Sequence, residues 1–185
     1  MDELVRRLLR HKLMPAVVPE FPGITAGGAF AGTAAESSSF RYGYFDKTVT
    51  SVEMVLGNGD VVHASPVENA DLFFGSAGAL GTLGITTQVE VQLVACGRFI
   101  EVTYTPVTSY AEALRLFEKV GEDVGFVDGI MFSSRHGVVV EGRVVEKSAI
   151  KNCRLRSSQE RKTRGSSRMC IRRSGANHRQ AVIGA

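Results

Sequence analysis

Beyond Lys147 the chain changes character, and that change limits which part of it can build a core. Residues 1–147 carry 12 basic and 18 acidic side chains, a balance of −6, whereas residues 148–185 carry 10 basic and one acidic, a balance of +9. The last aromatic residue is Phe132, and the basic stretch offers only scattered apolar residues such as Ile150, Leu155, Met169 and Ile171. Such a segment buries too little apolar surface to offset the entropy of ordering it. Residues 148–185 are therefore expected to form a basic, disordered tail on an acidic globular body. A body of that length suits one domain, or a domain and part of a second.

Several function classes fall away. Apolar residues make up 44% of the chain, so disorder throughout is excluded. No apolar run reaches the ~18 residues that span a bilayer, and Met1-Asp2-Glu3-Leu4-Val5-Arg6-Arg7 builds no signal-peptide apolar segment. The chain as given reads as soluble, with no transmembrane segment. Cys96, Cys153 and Cys170 are widely spaced, the four histidines are scattered and no Cys-x-x-Cys pair exists, which argues against a metal site or a disulfide framework. Ten cations in the tail could pair with phosphates, but no aromatic residue accompanies them for base stacking. No specific nucleic acid is expected as a partner.

The body reads as mixed helix and strand. Leu4, Val5, Leu8 and Leu9 share one helical face, with Arg6, Arg7 and Arg10 outside it. Val52, Met54 and Leu56 alternate towards Gly57-Asn58-Gly59-Asp60, a hairpin signal followed by Val61-Val62-His63-Ala64. Ser65-Pro66-Val67-Glu68 is a capping box before a short helix through Leu72-Phe73-Phe74. Ile85, Thr87, Val89, Val91 and Leu93 alternate as a half-buried strand. A second unit follows: a strand with Ile100, Val102 and Tyr104, and a helix opened by Ser109-Tyr110-Ala111-Glu112 with Ala113, Leu114, Phe117 and Val120 inward. It closes on a hairpin around Ser134-Arg135-His136-Gly137. One sheet edge of that unit is left unpaired, so it reads as cut short.

Two stretches, Thr25 to Ser39 and Gly75 to Gly84, consist almost wholly of small residues and are good helices or strands by neither propensity. Glycine lets backbone approach a phosphate or a flat ring without a Cβ in the way, and exposed N–H groups bind anionic oxygens. Small residues also simply permit tight packing, and for any single glycine that is the commoner reason. Gly78-x-x-Gly81-x-x-Gly84 lacks the Gly-x-Gly-x-x-Gly fingerprint, and no Gly-Lys-Ser/Thr loop occurs. Spacing alone therefore goes no further than a possible nucleotide-type ligand.

A resemblance goes further. Pro19-Glu20-Phe21-Pro22-Gly23-Ile24-Thr25-Ala26-Gly27-Gly28, Gly32-Thr33 and Glu36-Ser37-Ser38-Ser39-Phe40-Arg41-Tyr42-Gly43 resemble the PCMH-type FAD-binding domain of the vanillyl-alcohol-oxidase superfamily. Within it, Val55-Leu56-Gly57-Asn58-Gly59, Ser65 to Phe73 and Gly81-Thr82-Leu83-Gly84-Ile85 are most similar to the Δ24-sterol reductases. The resemblance covers roughly residues 10 to 145. It implies an α+β fold: residues 1–97 as the second subdomain of a PCMH-type FAD-binding domain, an antiparallel sheet flanked by helices. Residues 98–147 would then start a substrate domain.

It further implies cofactor contacts at Thr25, Ala26, Gly27, Gly28, Gly32, Thr33, Glu36, Ser37, Ser38, Gly81, Thr82 and Ile85. The implied activity is that of an FAD-dependent oxidoreductase, reducing the side-chain double bond of a sterol-like substrate with hydride from NADPH passed through FAD. An aldonolactone or alditol oxidase of the same superfamily, or an inactive fragment, are the alternatives. Intact relatives add a basic pyrophosphate loop and a membrane-anchoring segment at the endoplasmic reticulum, so the chain alone is expected to turn over no sterol. Glu36 could orient ribityl hydroxyls or cap a turn, and Arg41 and Tyr42 could reach a ligand or form a solvated turn. His63 and His136 match no covalent flavin motif and read as structural. No catalytic residue is nominated.

Overall fold

The computed structural model describes residues 1–21 and 23–146, and beyond them the strands Leu155–Arg156, Met169–Ser174 and His178–Gly184. The chain divides between Ala95 and Cys96 into two units, where the sequence reading put the boundary after Gly97.

The first unit opens with α1 (Asp2–Leu9). Leu4, Val5, Leu8 and Leu9 are half-buried and the arginines exposed, as the spacing predicts. Glu3 in the first turn accepts from Arg7 at 2.9 Å and also pairs with Arg6, an arrangement that suits the positive end of the helix dipole. β1 (Leu13–Pro15) pairs antiparallel with β5 (Leu93–Ala95). The chain then runs through buried Ala16 and Val17 into α2 (Ala26–Ala31) and α3 (Ser39–Tyr42). A 3-10 turn, Phe45–Thr48, leads into β2 (Val49–Val55), which is the centre of a three-stranded antiparallel sheet between β3 (Val61–Ala64) and β4 (Ile85–Val91). The core is Val17, Ala29, Phe30, Phe45, Val49, Val52, Met54, Ala64 and Phe73. Each large side chain enclosed there contributes about 1.5–3 kcal/mol.

The β2–β3 hairpin forms where the Asn-Gly signal lies. Gly59 N–H donates to Leu56 C=O at 2.9 Å, and Gly59 sits at φ +89°, a conformation glycine adopts without a Cβ penalty. The Ser65 capping box is displaced from the helix it was expected to open. Ser65 Oγ accepts from Glu68 N–H at 3.1 Å, but this closes a separate turn, and α4 (Ala70–Ser76) begins only after Asn69 in left-handed conformation.

The alternation expected of β4 is also broken. Val89 and Val91 turn inward, while Ile85 is 71% exposed and Thr87 is exposed too. The register jumps from Glu53↔Gln88 to Met54↔Thr86. This bulge skips Thr87, so every side chain N-terminal to it changes face.

In the second unit β6 (Phe99–Val107), β7 (Phe126–Ser133) and β8 (His136–Val145) form an antiparallel meander in the order β7-β8-β6. One edge of the unit was expected to be unpaired; at β6 the sheet continues with β11 (His178–Gly184), followed by β10 (Met169–Ser174) and β9 (Leu155–Arg156). These three strands lie in the stretch expected to be a basic, disordered tail. Ala181-Val182-Ile183 is the longest apolar run there. The rest of residues 147–185 lies outside the described residues.

α5 (Tyr110–Phe117) packs Ala113 and Leu116 against Val107 and Val139. Leu114, expected inward, is 60% exposed, because the face set by Ala113 and Leu116 lies on another side of the helix. The Ser109 cap forms, with its reciprocal bond shifted by one residue from Ser109 to Thr108. Ser109 Oγ accepts from Glu112 N–H at 3.2 Å, and Glu112 Oε2 accepts from Thr108 N–H at 2.7 Å and from its hydroxyl at 2.9 Å. The backbone bond from Thr108, then its hydroxyl, holds the Glu112 carboxyl below its ordinary value of 4.5. A depressed carboxylate contributes stability that is present above the unfolded pKa and lost as pH falls through the folded one. The Thr108 amide resonance is therefore expected to titrate with a midpoint below 4.5. A midpoint at or above that value would show that the cap bond does not form.

Candidate cofactor site

α2 is an improbable helix by composition, since Ala26-Gly27-Gly28-Ala29-Phe30-Ala31 contains two adjacent glycines. Two local features hold it. Thr25 Oγ1 accepts from Gly28 N–H at 3.0 Å and caps the first turn, while Ala29 and Phe30, 1% and 0% exposed, pin the inner face to the core. The opposite face carries Thr25, Gly28 and Gly32, all exposed and spaced so that they stack along one side. It is a strip of nearly bare backbone.

The second small-residue segment closes against the C-terminal end of this helix. Gly78 N–H donates to Phe30 C=O at 3.4 Å, and Leu80 N–H to Ala31 C=O at 3.0 Å. Gly81, Thr82 and Ile85 follow, all exposed. The two stretches singled out from the sequence thus adjoin, and the bulge in β4 is what leaves Ile85 on the outside. Thr33, next to Gly32, adopts φ +47°, a left-handed conformation that is an outlier for a β-branched residue.

The remaining sequence-derived residues are placed differently. Ser38 is 2% exposed and its Oγ donates to Ala16 C=O at 2.8 Å, so its hydroxyl proton is already used in tying α3 to the segment after β1. Glu36 accepts from Glu20 N–H at 3.1 Å through Oε1, and its own N–H donates to Ser39 Oγ at 2.9 Å. Ser37, Ala26 and Gly27 are half-buried. Arg41 lies over the Phe40 ring at 5.7 Å, and Tyr42 packs against the core. His63 pairs with Glu53 across the β2–β3 ladder at 3.6 Å, and His136 lies 5.3 Å from the Phe132 ring.

The donor set suits one part of a flavin nucleotide and not another. Flat, small-residue backbone with hydroxyls at Thr25 and Thr33 fits a planar ring and a polyol chain, whereas the Thr82 hydroxyl already donates to Ala79 C=O at 2.8 Å. No cation occurs between Thr25 and Ser39, where Glu36 is the only charged residue, so these segments do not neutralise a diphosphate.

Sequence reading missed Asp46. Its side chain is 8% exposed and pairs with Lys47 Nζ at 3.3 Å through Oδ2, while Oδ1 has no hydrogen-bond partner. A lone aspartate in Phe45-Asp46-Lys47 carries no pattern that marks it, and only its burial does.

The chain is similar to known flavin-family proteins over much of its length. The family described as "FAD binding domain" matches residues 1–65. The chain is similar to the Delta(24)-sterol reductase of Homo sapiens, 31% identical over 134 residues, covering 71% of the chain and 26% of that protein. It is also similar to the Delta(24)-sterol reductase of Arabidopsis thaliana, 31% identical over 161 residues, with 82% and 29% covered. Cytokinin dehydrogenase 9 of Oryza sativa subsp. japonica is 27% identical over 139 residues, with 74% and 27% covered. The chain spans between a quarter and a third of the length of these relatives. Among the described residues no helix is long and apolar enough to cross a membrane. On these matches the chain belongs to the PCMH-type FAD-binding family.

Proposed function

We propose that the chain supplies the ring-facing part of a flavin site in an FAD-dependent oxidoreductase that reduces the side-chain double bond of a sterol-like substrate, with NADPH as electron donor. The observation that carries this reading is the bare-backbone strip of Thr25, Gly28 and Gly32 adjoined by Gly81, Thr82 and Ile85. Thr25, Ala26, Gly27, Gly28, Gly32 and Thr33 would hold the ring and the start of the polyol, and Glu36 and Ser37 would lie further along it. Ser38 would act through Ala16 by fixing the segment. FAD, when bound, supplies the hydride chemistry. The chain's residues shield one side of the ring from water and orient it. The sterol class is supported by the names of the relatives at 31% identity. The dehydrogenase at 27% supports the oxidoreductase class alone.

The test is a titration of flavin fluorescence with the purified chain. Saturable quenching is expected, and Ile85→Glu, which puts a charge in place of an apolar side chain that is 71% exposed, should weaken it at least about tenfold, or about 1.4 kcal/mol, with the far-ultraviolet circular dichroism retained. Desmosterol, and not an alditol, should then shift the visible spectrum of the bound flavin. A folded chain that leaves free FAD fluorescence unchanged at all concentrations would sink the proposal.

A further inference from the structure

We infer that a cavity between α2, α4 and the Phe45–Thr48 turn binds a flat aromatic ring bearing one neutral N–H donor, at a place separate from the flavin surface. The cavity measures about 330 Å³, within the range of small-ligand pockets. Phe30, Phe73 and Phe74 form its apolar side, and Thr33, Asp46 and Lys47 its polar side. The Phe73 and Phe74 rings are 5.2 Å apart at 75°, so a third ring entering beside them can meet both a face and an edge. Of the residues assigned to the flavin surface, Thr33 alone lines this cavity.

Asp46 specifies the polar handle. One carboxylate oxygen is held by Lys47, and the other is enclosed with no donor, a condition that buried polar groups rarely sustain. The carboxylate's terminal torsion is soft, so a small turn about Cβ–Cγ offers that oxygen to the cavity. A second ammonium group there would meet the charge of Lys47, whereas a neutral N–H would satisfy the oxygen and leave the ion pair intact. An ordered water could do the same without any ligand, and the experiment separates the two.

Indole and 1-methylindole are the probes, since they differ in the N–H alone. The chain contains no tryptophan, so indole emission is read directly against the purified protein. Indole emission should shift to shorter wavelength in a saturable manner. 1-Methylindole should bind about tenfold more weakly, the worth of one hydrogen bond to a charged group. Phe74→Ala should abolish the shift; Phe74 is 59% exposed, so its removal leaves the core in place. Saturating FAD should leave indole bound. Equal affinity for the two probes would show that Asp46 takes no part and would overturn the inference. Failure of indole to bind would leave the cavity to water and overturn it as well. Displacement by FAD would merge the cavity with the flavin surface and end its standing as a separate site.

Discussion

Phe30→Ala is expected to cost about 3–5 kcal/mol, a large part of the ~5–15 kcal/mol that holds a domain folded. Phe30 is fully enclosed and its ring centroid lies 6.1 Å from that of Phe73. Its loss should propagate further than a core cavity usually does, because α2 has little else to hold it. A six-residue helix with two glycines does not pay for its own nucleation, and its cap is worth only about 1 kcal/mol. The carbonyls of Phe30 and Ala31 also receive the N–H groups of Gly78 and Leu80, so the second small-residue segment loses its anchor with the first. Hydrogen exchange should show Ala29, Gly78 and Leu80 amides losing protection together, alongside a lower denaturant midpoint. Phe30→Leu, which keeps most of the apolar volume but loses the ring pair with Phe73, should cost less than Phe30→Ala. If Phe30→Ala changed stability by less than about 1 kcal/mol with Gly78 and Leu80 still protected, the two segments would be held together by something other than this ring.

The same residue shows what was legible in the sequence. The strand Val49–Val55, its hairpin at Asn58-Gly59 and the capped helix at Ser109 could be read locally, because alternation, turn chemistry and a cap each act within a few residues. α2 could not, since its helical state is imposed by the burial of Phe30 and not by propensity. The inversion of Ile85 was equally hidden. A bulge is set by how two strands register, and nothing in Ile85-Thr86-Thr87-Gln88 announces it. For the candidate site, composition marked the two small-residue stretches, and the resemblance attached a flavin to them. That they adjoin, and that Ser38 spends its hydroxyl on Ala16, follows from the tertiary fold. Asp46 depends wholly on that fold.

Gly84→Ala is expected to destabilise the first unit by about 2–4 kcal/mol, combining overpacking with backbone distortion. A Cβ built there would lie 2.7 Å from Val55 C=O, with the Leu56 and Met54 side-chain tips at 3.4 Å. The side chains can move, but the carbonyl cannot without opening the Val55↔Ile85 end of the β2–β4 ladder. This glycine is demanded by close backbone approach, whatever ligand binds. Gly27 differs. A Cβ there would meet only Thr86 C=O, at 3.7 Å, an ordinary contact, and the residue is helical. Gly27→Ala should therefore stabilise the unit by about 0.5–1 kcal/mol. Denaturation midpoints of the two variants separate the explanations: opposite signs mean that folding explains Gly84 and leaves Gly27 to the ligand. Gly27→Ala that is both more stable and weaker for FAD would tie the glycine to the cofactor. Equal losses in both variants would instead show that packing against β4 requires glycine at both places, and the small-residue surface would then be a consequence of the fold alone.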